Sequence, residues 1–167
     1  TVIGTKGMPG AGPVVVGAIA EQLERLSPCP VLAVASDWNA GPFRPTPSGP
    51  ILLAMERNQA STAAVAAAHS LALTFMRPLL VIHAREAAEA EAFRNPCSTT
   101  LDEFGIHATK DVPVRCIVKD GSPVDAVTAA IAQYHPSILV AGVKRSSETP
   151  GPHGTAVALL ARARVPV

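Results

Sequence analysis

The feature that most constrains this chain is an alternation: short, continuously apolar, β-branched runs separated by longer Ala-rich stretches of helical period. Continuous apolar runs suit strands covered on both faces, and their alternation with helices is the pattern of strand-helix-strand units feeding a mostly parallel sheet. The expected class is therefore α/β. In chain order, strands are expected at Val2-Ile3, Val31 to Ala35, Ile51 to Met55, Leu79 to His83, Val114 to Val118, Ile138 to Ala141 and Val165 to Val167. Helices are expected over Val14 to Leu26, Gln59 to Met76, Glu86 to about Phe104, Pro123 to Tyr134 and Thr155 to Ala163. The second helix has the clearest face, with Ala60, Ala64, Ala67, Ala68, Leu71 and Phe75 recurring at three- and four-residue steps. Small residues there let a helix lie close to a sheet, which also accounts for a composition 48% apolar but only 4% aromatic.

Residues 37–50 (DWNAGPFRPTPSGP) hold four prolines and two glycines without periodicity, so they read as a linker between residues 1–36 and 51–167. One strand-helix-strand unit precedes the linker, and a longer series ending in another follows it. The two ends resemble each other. Val2-Ile3-Gly4 leads into a helix and then Pro28-Cys29-Pro30-Val31, while Val140-Ala141-Gly142 leads into a helix and then Arg164-Val165-Pro166-Val167. The pattern is an internal repeat in which the first copy holds only the tail. Because Thr1 is not Met and a strand follows at once, residues upstream of Thr1 are expected.

Lys and Arg total 14 against 13 Asp and Glu, a net charge of +1 that gives no field for nucleic acid or an anionic membrane. Apolar runs such as Ile51 to Met55 fall far short of the roughly 20 residues a membrane helix needs, so no membrane insertion is expected. Cys29, Cys97 and Cys116 are spaced too widely for a disulfide framework or a zinc site, and a reducing cytoplasm is the natural setting. No metal site is expected. The chain has no G-K-[ST] loop, G-x-S-x-G elbow or H-E-x-x-H helix, so no catalytic residue is assigned. His83 ends an apolar strand and reads as a hydrogen-bonded core residue, and Cys29, between prolines beside a buried strand, reads as a small hydrophobe.

Gly4, Gly7 and Gly17 make a G-x-x-G-x9-G spacing that follows a strand and runs into a helix. Glycines in that place let a backbone approach a phosphate, while the free N–H groups and dipole at a helix start favour negative charge. With Ser27-Pro28-Cys29-Pro30-Val31 behind it, the stretch resembles the last third of a universal stress protein domain. The family places Ser or Thr after the third glycine, where this chain has Ala18. The rest of the chain resembles the same family in order. Ile51 to Glu56 followed by Ala60-Ser61 resembles its opening strand, acidic residue and first helix, with Glu for the usual Asp. Val118 to Pro123 resembles its strand-Gly-x-Pro turn, and Ile138 to Gly142 its fourth strand.

The resemblance implies an open, Rossmann-like sheet of five parallel strands with helices on both faces and an ATP or AMP site at the carboxyl ends of the strands. The adenosine side would fall on Ala54, Met55, Glu56 and Ala84, and the phosphate side on Gly142, Lys144, Gly154 and Thr155. The corresponding glycines of the first copy are Gly4, Gly7 and Gly17. Two registers of the second glycine loop are open, one placing His153 at the third glycine and the other using Gly154-Thr155. Glu56 equally fits a solvated residue after a buried strand, and Lys144 with Arg145 a solvated loop pair. Arg145 stands where the family has its second glycine, and Pro150 and Pro152 remove amides from the loop, so the site of the complete copy is expected to be degenerate. The function implied is a nucleotide-linked stress-response or regulatory module without catalysis. Its alternatives are a nucleotide-independent scaffold, such as a soluble regulatory domain of a transporter or kinase, and an ATP-hydrolysing or adenylating enzyme. Members of the family associate through their last strands, so Val31 to Ala35 and Val165 to Val167 are the expected edges of a homodimer or an intramolecular pseudo-dimer.

Overall fold

A computed structural model describes residues 2–5, 27, 29–35, 48–55, 60–85, 101–102, 106–142, 155–163 and 165–167. The strands among them are β1 (Val2–Thr5), β2 (Leu32–Ala35), β3 (Ile51–Ala54), β4 (Leu79–Arg85), β5 (Val114–Asp120) and β6 (Ile138–Ala141). The helices are α1 (Ala60–Phe75), α2 (Pro123–Tyr134) and α3 (Thr155–Arg162). The helix expected over Val14 to Leu26 and most of that expected over Glu86 to Phe104 lie outside the described residues, with Leu101 and Asp102 helical.

β3 to β6 form one parallel sheet in the order β5-β4-β3-β6. Ile51 lies opposite Leu79 on one side and Ile138 on the other, and Ala54 opposite Ile82 and Ala141. The chain steps outward from β3 to β4 and β5, then returns to β6 on the far side of β3. The direction of winding therefore changes between β3 and β6, and a crevice at the carboxyl ends of such strands is where open α/β sheets hold ligands.

Each strand feeds two cores. Ile51, Leu53, Met55, Leu79 and Val81 pack with Ala64, Val65, Ala68 and Ala72 of α1, together with Leu101, Ile106 and Val112. Leu52, Leu80, Ile82 and Leu139 pack with Ala126, Val127, Ala130 and Ile131 of α2, with Leu159 of α3 and with Ala163 just after it. Successive strand residues point to opposite faces, so a strand buried on both faces reads as unbroken apolar sequence. Burial of each such aliphatic side chain is worth about 1.5–3 kcal/mol.

β4 and β5 run two residues beyond their expected ends, and α2 has its expected bounds. The face expected of α1 needs correction. Its buried stripe passes through Ala64, Val65, Ala68 and Ala72, whereas Phe75 is 52% exposed. A helix of 16 residues is about 24 Å long, but a four-residue strand spans only about 13 Å, so the end of α1 overruns the strand it covers. The helix then stops at Met76, in the left-handed region at φ 51, with Arg77 N–H bonding back to the Ala72 carbonyl at 2.9 Å. Cys29 also departs from expectation: it is exposed, in a turn where the Ser27 hydroxyl donates to the Cys29 carbonyl at 2.9 Å. This turn lies ahead of β2, which begins at Leu32, rather than within the sheet. Of the expected linker, 37–47 lie outside the described residues, but Ser48–Pro50 is docked. Arg77 Nη1 donates to the Ser48 carbonyl (3.2 Å), Ser137 N–H to Pro50 (2.9 Å) and Ser137 Oγ to Gly49 (3.1 Å).

β1 and β2 are parallel neighbours, paired from Val2↔Leu32 to Thr5↔Ala35. The expected strand Val165 to Val167 is a short segment bonded on both sides rather than a full ladder. Leu139 N–H donates to the Pro166 carbonyl (2.8 Å), and Ala33 and Val167 exchange bonds at 2.7 and 3.0 Å. Pro166 has no N–H to offer β6, which limits the pairing on that side. Backbone hydrogen bonds thus connect β6, this segment and β2 in succession.

Candidate functional site

The carboxyl ends of β3, β4 and β6 and the starts of α2 and α3 converge on one cleft. Its lining is Ala54, Met55, Ile82, Ala84, Pro123, Val127, Ala141, Gly142, Thr155, Ala156 and Leu159. Each element brings its residues there for a simple reason. β3 and β6 are in register, so Ala54 and Ala141 lie side by side, and the chain leaves the sheet at Met55 and Gly142 immediately afterwards. On β4, Ile82 and Ala84 point to the same face because they are two residues apart. On α2 and α3, Val127 and Leu159 stand one turn after Pro123 and Thr155.

The walls are small and apolar, with alanine or glycine at most sheet-end positions. Polar groups among the described residues are few: the Thr155 hydroxyl and the first-turn amides of α3, which have no acceptor within the helix and favour an anion. Pro123 at the start of α2 supplies no N–H. The cleft is partly open to solvent and its volume is ≈ 40 Å³, enough for about three waters. Behind the cleft, Met55 N–H donates to the Ile82 carbonyl at 2.9 Å, and the His83 ring meets the Met55 carbonyl at 3.0 Å. His83 is thus a hydrogen-bonded core residue, as expected. Among the described residues no group of three or more His, Cys, Asp or Glu is placed to hold a metal ion.

Of the residues singled out in the sequence, Ala54, Met55, Ala84, Gly142 and Thr155 all line this one cleft. Gly4 lies apart, exposed in β1, with nothing within 4 Å of where a Cβ would stand. Gly7, Gly17, Glu56, Lys144 and Gly154 lie outside the described residues, as do Arg145 and the loop prolines. Ile82, Pro123, Val127, Ala141, Ala156 and Leu159 complete the lining without having been assigned to the site from the sequence. Strand alternation from Ala84 finds Ile82, and one helical turn from Pro123 or Thr155 finds Val127 or Leu159; apolar side chains carry no other signal.

No protein-family model and no curated protein matches the chain. Solved structures do. A universal stress protein from Archaeoglobus fulgidus DSM 4304 superposes with TM-score 0.76 at 18% identity, covering 99% of this chain and 59% of its own. A protein from the universal stress protein family of Burkholderia pseudomallei gives TM-score 0.53 at 20% identity, covering 72% of this chain and 95% of its own. Universal stress protein UspA from Lactobacillus plantarum gives 0.50 at 16%, covering 70% of this chain and 93% of its own. This chain therefore spans about three fifths of the length of the Archaeoglobus protein. Likeness at these identities resides in architecture, and the α/β chain described above has the fold of the universal stress proteins.

Proposed function

We propose that the chain is a nucleotide-linked regulatory module of the universal stress protein kind, non-catalytic, with an adenine nucleotide as ligand of the cleft. One observation carries the reading: five residues picked out in the sequence as adenosine or phosphate positions converge on the crevice where the sheet changes winding direction. Ala54, Met55 and Ala84 form the side that takes the base or ribose, and Gly142 with Thr155 the side that takes phosphate. The resemblance assigns Glu56 to the same adenosine side and Lys144 and Gly154 to the same phosphate side. In this reading residues 51–167 are a complete domain and residues 1–36 the C-terminal part of another, with 37–50 the linker. Gly4, Gly7 and Gly17 are then that first domain's phosphate glycines. Support comes from the pairing of β1 with β2, from the bond of Leu139 N–H to the Pro166 carbonyl at the corresponding place after β6, and from the exchanged bonds of Ala33 and Val167, which suit an intramolecular pseudo-dimer. Calorimetric titration of the purified chain with ATP and AMP tests it. Heat of binding is expected, and its absence at millimolar ligand overturns the reading.

A second reading has an observation of its own. The cleft volume of ≈ 40 Å³ is small, and the sequence has Arg145, Pro150 and Pro152 where the resemblance calls for a phosphate cradle, which favours a degenerate ATP site in the complete domain and a nucleotide-independent scaffold. Nucleotide retained through purification eliminates the scaffold.

A further inference from the structure

The ladder between β3 and β4 pairs residues as far as Ala54 and Ile82. One residue on, Met55 N–H still donates to the Ile82 carbonyl at 2.9 Å, but its own carbonyl is met by a side chain: His83 Nδ1 lies 3.0 Å from the Met55 oxygen, in a buried position. A carbonyl oxygen only accepts, so Nδ1 carries the proton and donates. His83 is 5% exposed, and among the described residues it is the buried polar side chain of the core. A polar group is retained in such a place at a cost unless it is bonded, which gives the bond to Met55 a structural role.

His83 does not itself line the cleft. Ile82 and Ala84, its neighbours on β4, do, and alternation along the strand sends His83 to the face covered by α1. Its effect on the cleft runs through Met55, whose backbone is then held at both its N–H and its C=O. In a parallel ladder the next bond to the Met55 oxygen would come from the Ala84 N–H, drawing the two strand ends together. The ring takes that oxygen at the point where Ala54 and Ala84 must stay apart for the slot between them to exist.

We propose that His83 is a positioning residue for the cleft: its Nδ1–H, by taking the Met55 carbonyl, fixes the end of β3 at the separation from β4 that admits a ligand. The inference rests on the nucleotide reading above and names a residue that acts on that site without touching the ligand.

The test uses the full chain and two substitutions. His83→Phe keeps a ring but loses the donor, and His83→Asn places an amide N–H near the position of Nδ1. Titration with ATP and AMP should show affinity about tenfold weaker in H83F, the worth of one buried hydrogen bond, and restored to within about threefold of the unsubstituted chain in H83N. Equal affinity in H83F, or an H83N as weak as H83F, overturns the positioning role. Absence of binding by the unsubstituted chain overturns the nucleotide reading instead, and this inference with it. ¹⁵N spectra of the imidazole provide an arm that needs neither variant to fold. A protonated Nδ1 coupled to the Met55 carbonyl is expected, and an unprotonated Nδ1 overturns the proposal.

Discussion

Ala33 and Val167 exchange both of their backbone hydrogen bonds, Ala33 N–H to the Val167 carbonyl at 2.7 Å and Val167 N–H to the Ala33 carbonyl at 3.0 Å. That reciprocity belongs to a hydrogen-bonded antiparallel pair, so β2 meets the chain's last residues head to tail although it runs parallel to β1. Ala33→Pro removes one donor of the pair and should cost about 1–3 kcal/mol. The effect should be local: amide exchange at Val167 speeds up while Leu53, deep in the other sheet, stays protected. Uniform loss of protection at both would show that the two sheets unfold together.

The two-sided burial of β3 makes a second prediction. Leu53 is fully buried beneath α1 and Leu73 is 43% exposed near that helix's end. Leu53→Ala should lower unfolding free energy by about 2–5 kcal/mol, through lost contacts plus the cavity left behind. Leu73→Ala should stay within about 0.5 kcal/mol. Guanidinium unfolding curves of both variants make the comparison.

Two glycines should respond oppositely to alanine. A Cβ at Gly49 would lie 2.2 Å from the His135 carbonyl and 2.9 Å from the Ser137 nitrogen, both backbone atoms that cannot swing aside. Gly49→Ala should therefore cost about 1–3 kcal/mol or more. At Gly4 the added carbon meets nothing within 4 Å, so Gly4→Ala should leave the melting temperature unchanged. If Gly4 serves a phosphate, its substitution should show in ligand binding alone.

The cleft gives a fourth prediction, conditional on nucleotide binding. Thr155→Val removes the hydroxyl at the start of α3 but keeps the shape, so ATP affinity should fall about tenfold, AMP affinity less, and stability little. Ala84→Leu projects new bulk between the strand ends and should abolish binding of both nucleotides. Calorimetry with each ligand on each variant separates the two sides of the site; equal losses for ATP and AMP in T155V would place the hydroxyl at a group the two share, the α-phosphate, ribose or base, rather than at the β- or γ-phosphate.

The parallel sheet was legible because two cores demand unbroken apolar strands, and Ile51-Leu52-Leu53 states that demand directly. The face of α1 was misread at Phe75 because periodicity gives direction around a helix axis, not where the sheet beneath it stops. Cys29 was misread because a thiol beside a strand is buried only if the chain has already entered the sheet, and Ser27 turns it just before. Val165 to Val167 was legible as apolar sequence, but Pro166 withholds the donor a ladder needs. At the site, Ala54, Ala84, Gly142 and Thr155 stood out because they occupy strand ends and a helix start. Val127 and Leu159 did not, since a lining aliphatic residue and a core aliphatic residue are the same in sequence.

The docking of Ser48–Pro50 onto Ser137 and Arg77 has a consequence for the Ala33–Val167 pair. Among the described residues the exchanged bonds of Ala33 and Val167 join β2 to this segment, and two backbone bonds by themselves would hold separate molecules together only feebly at micromolar concentration. A short covalent tether supplies an effective concentration in the millimolar range, and anchoring one end at Ser48 leaves only residues 36–47 to span the gap. Attachment of β1 and β2 to the larger sheet is therefore a property of chain connectivity as much as of contact. A single cut within 36–47 would turn a permanent neighbour into a ligand that dilution removes.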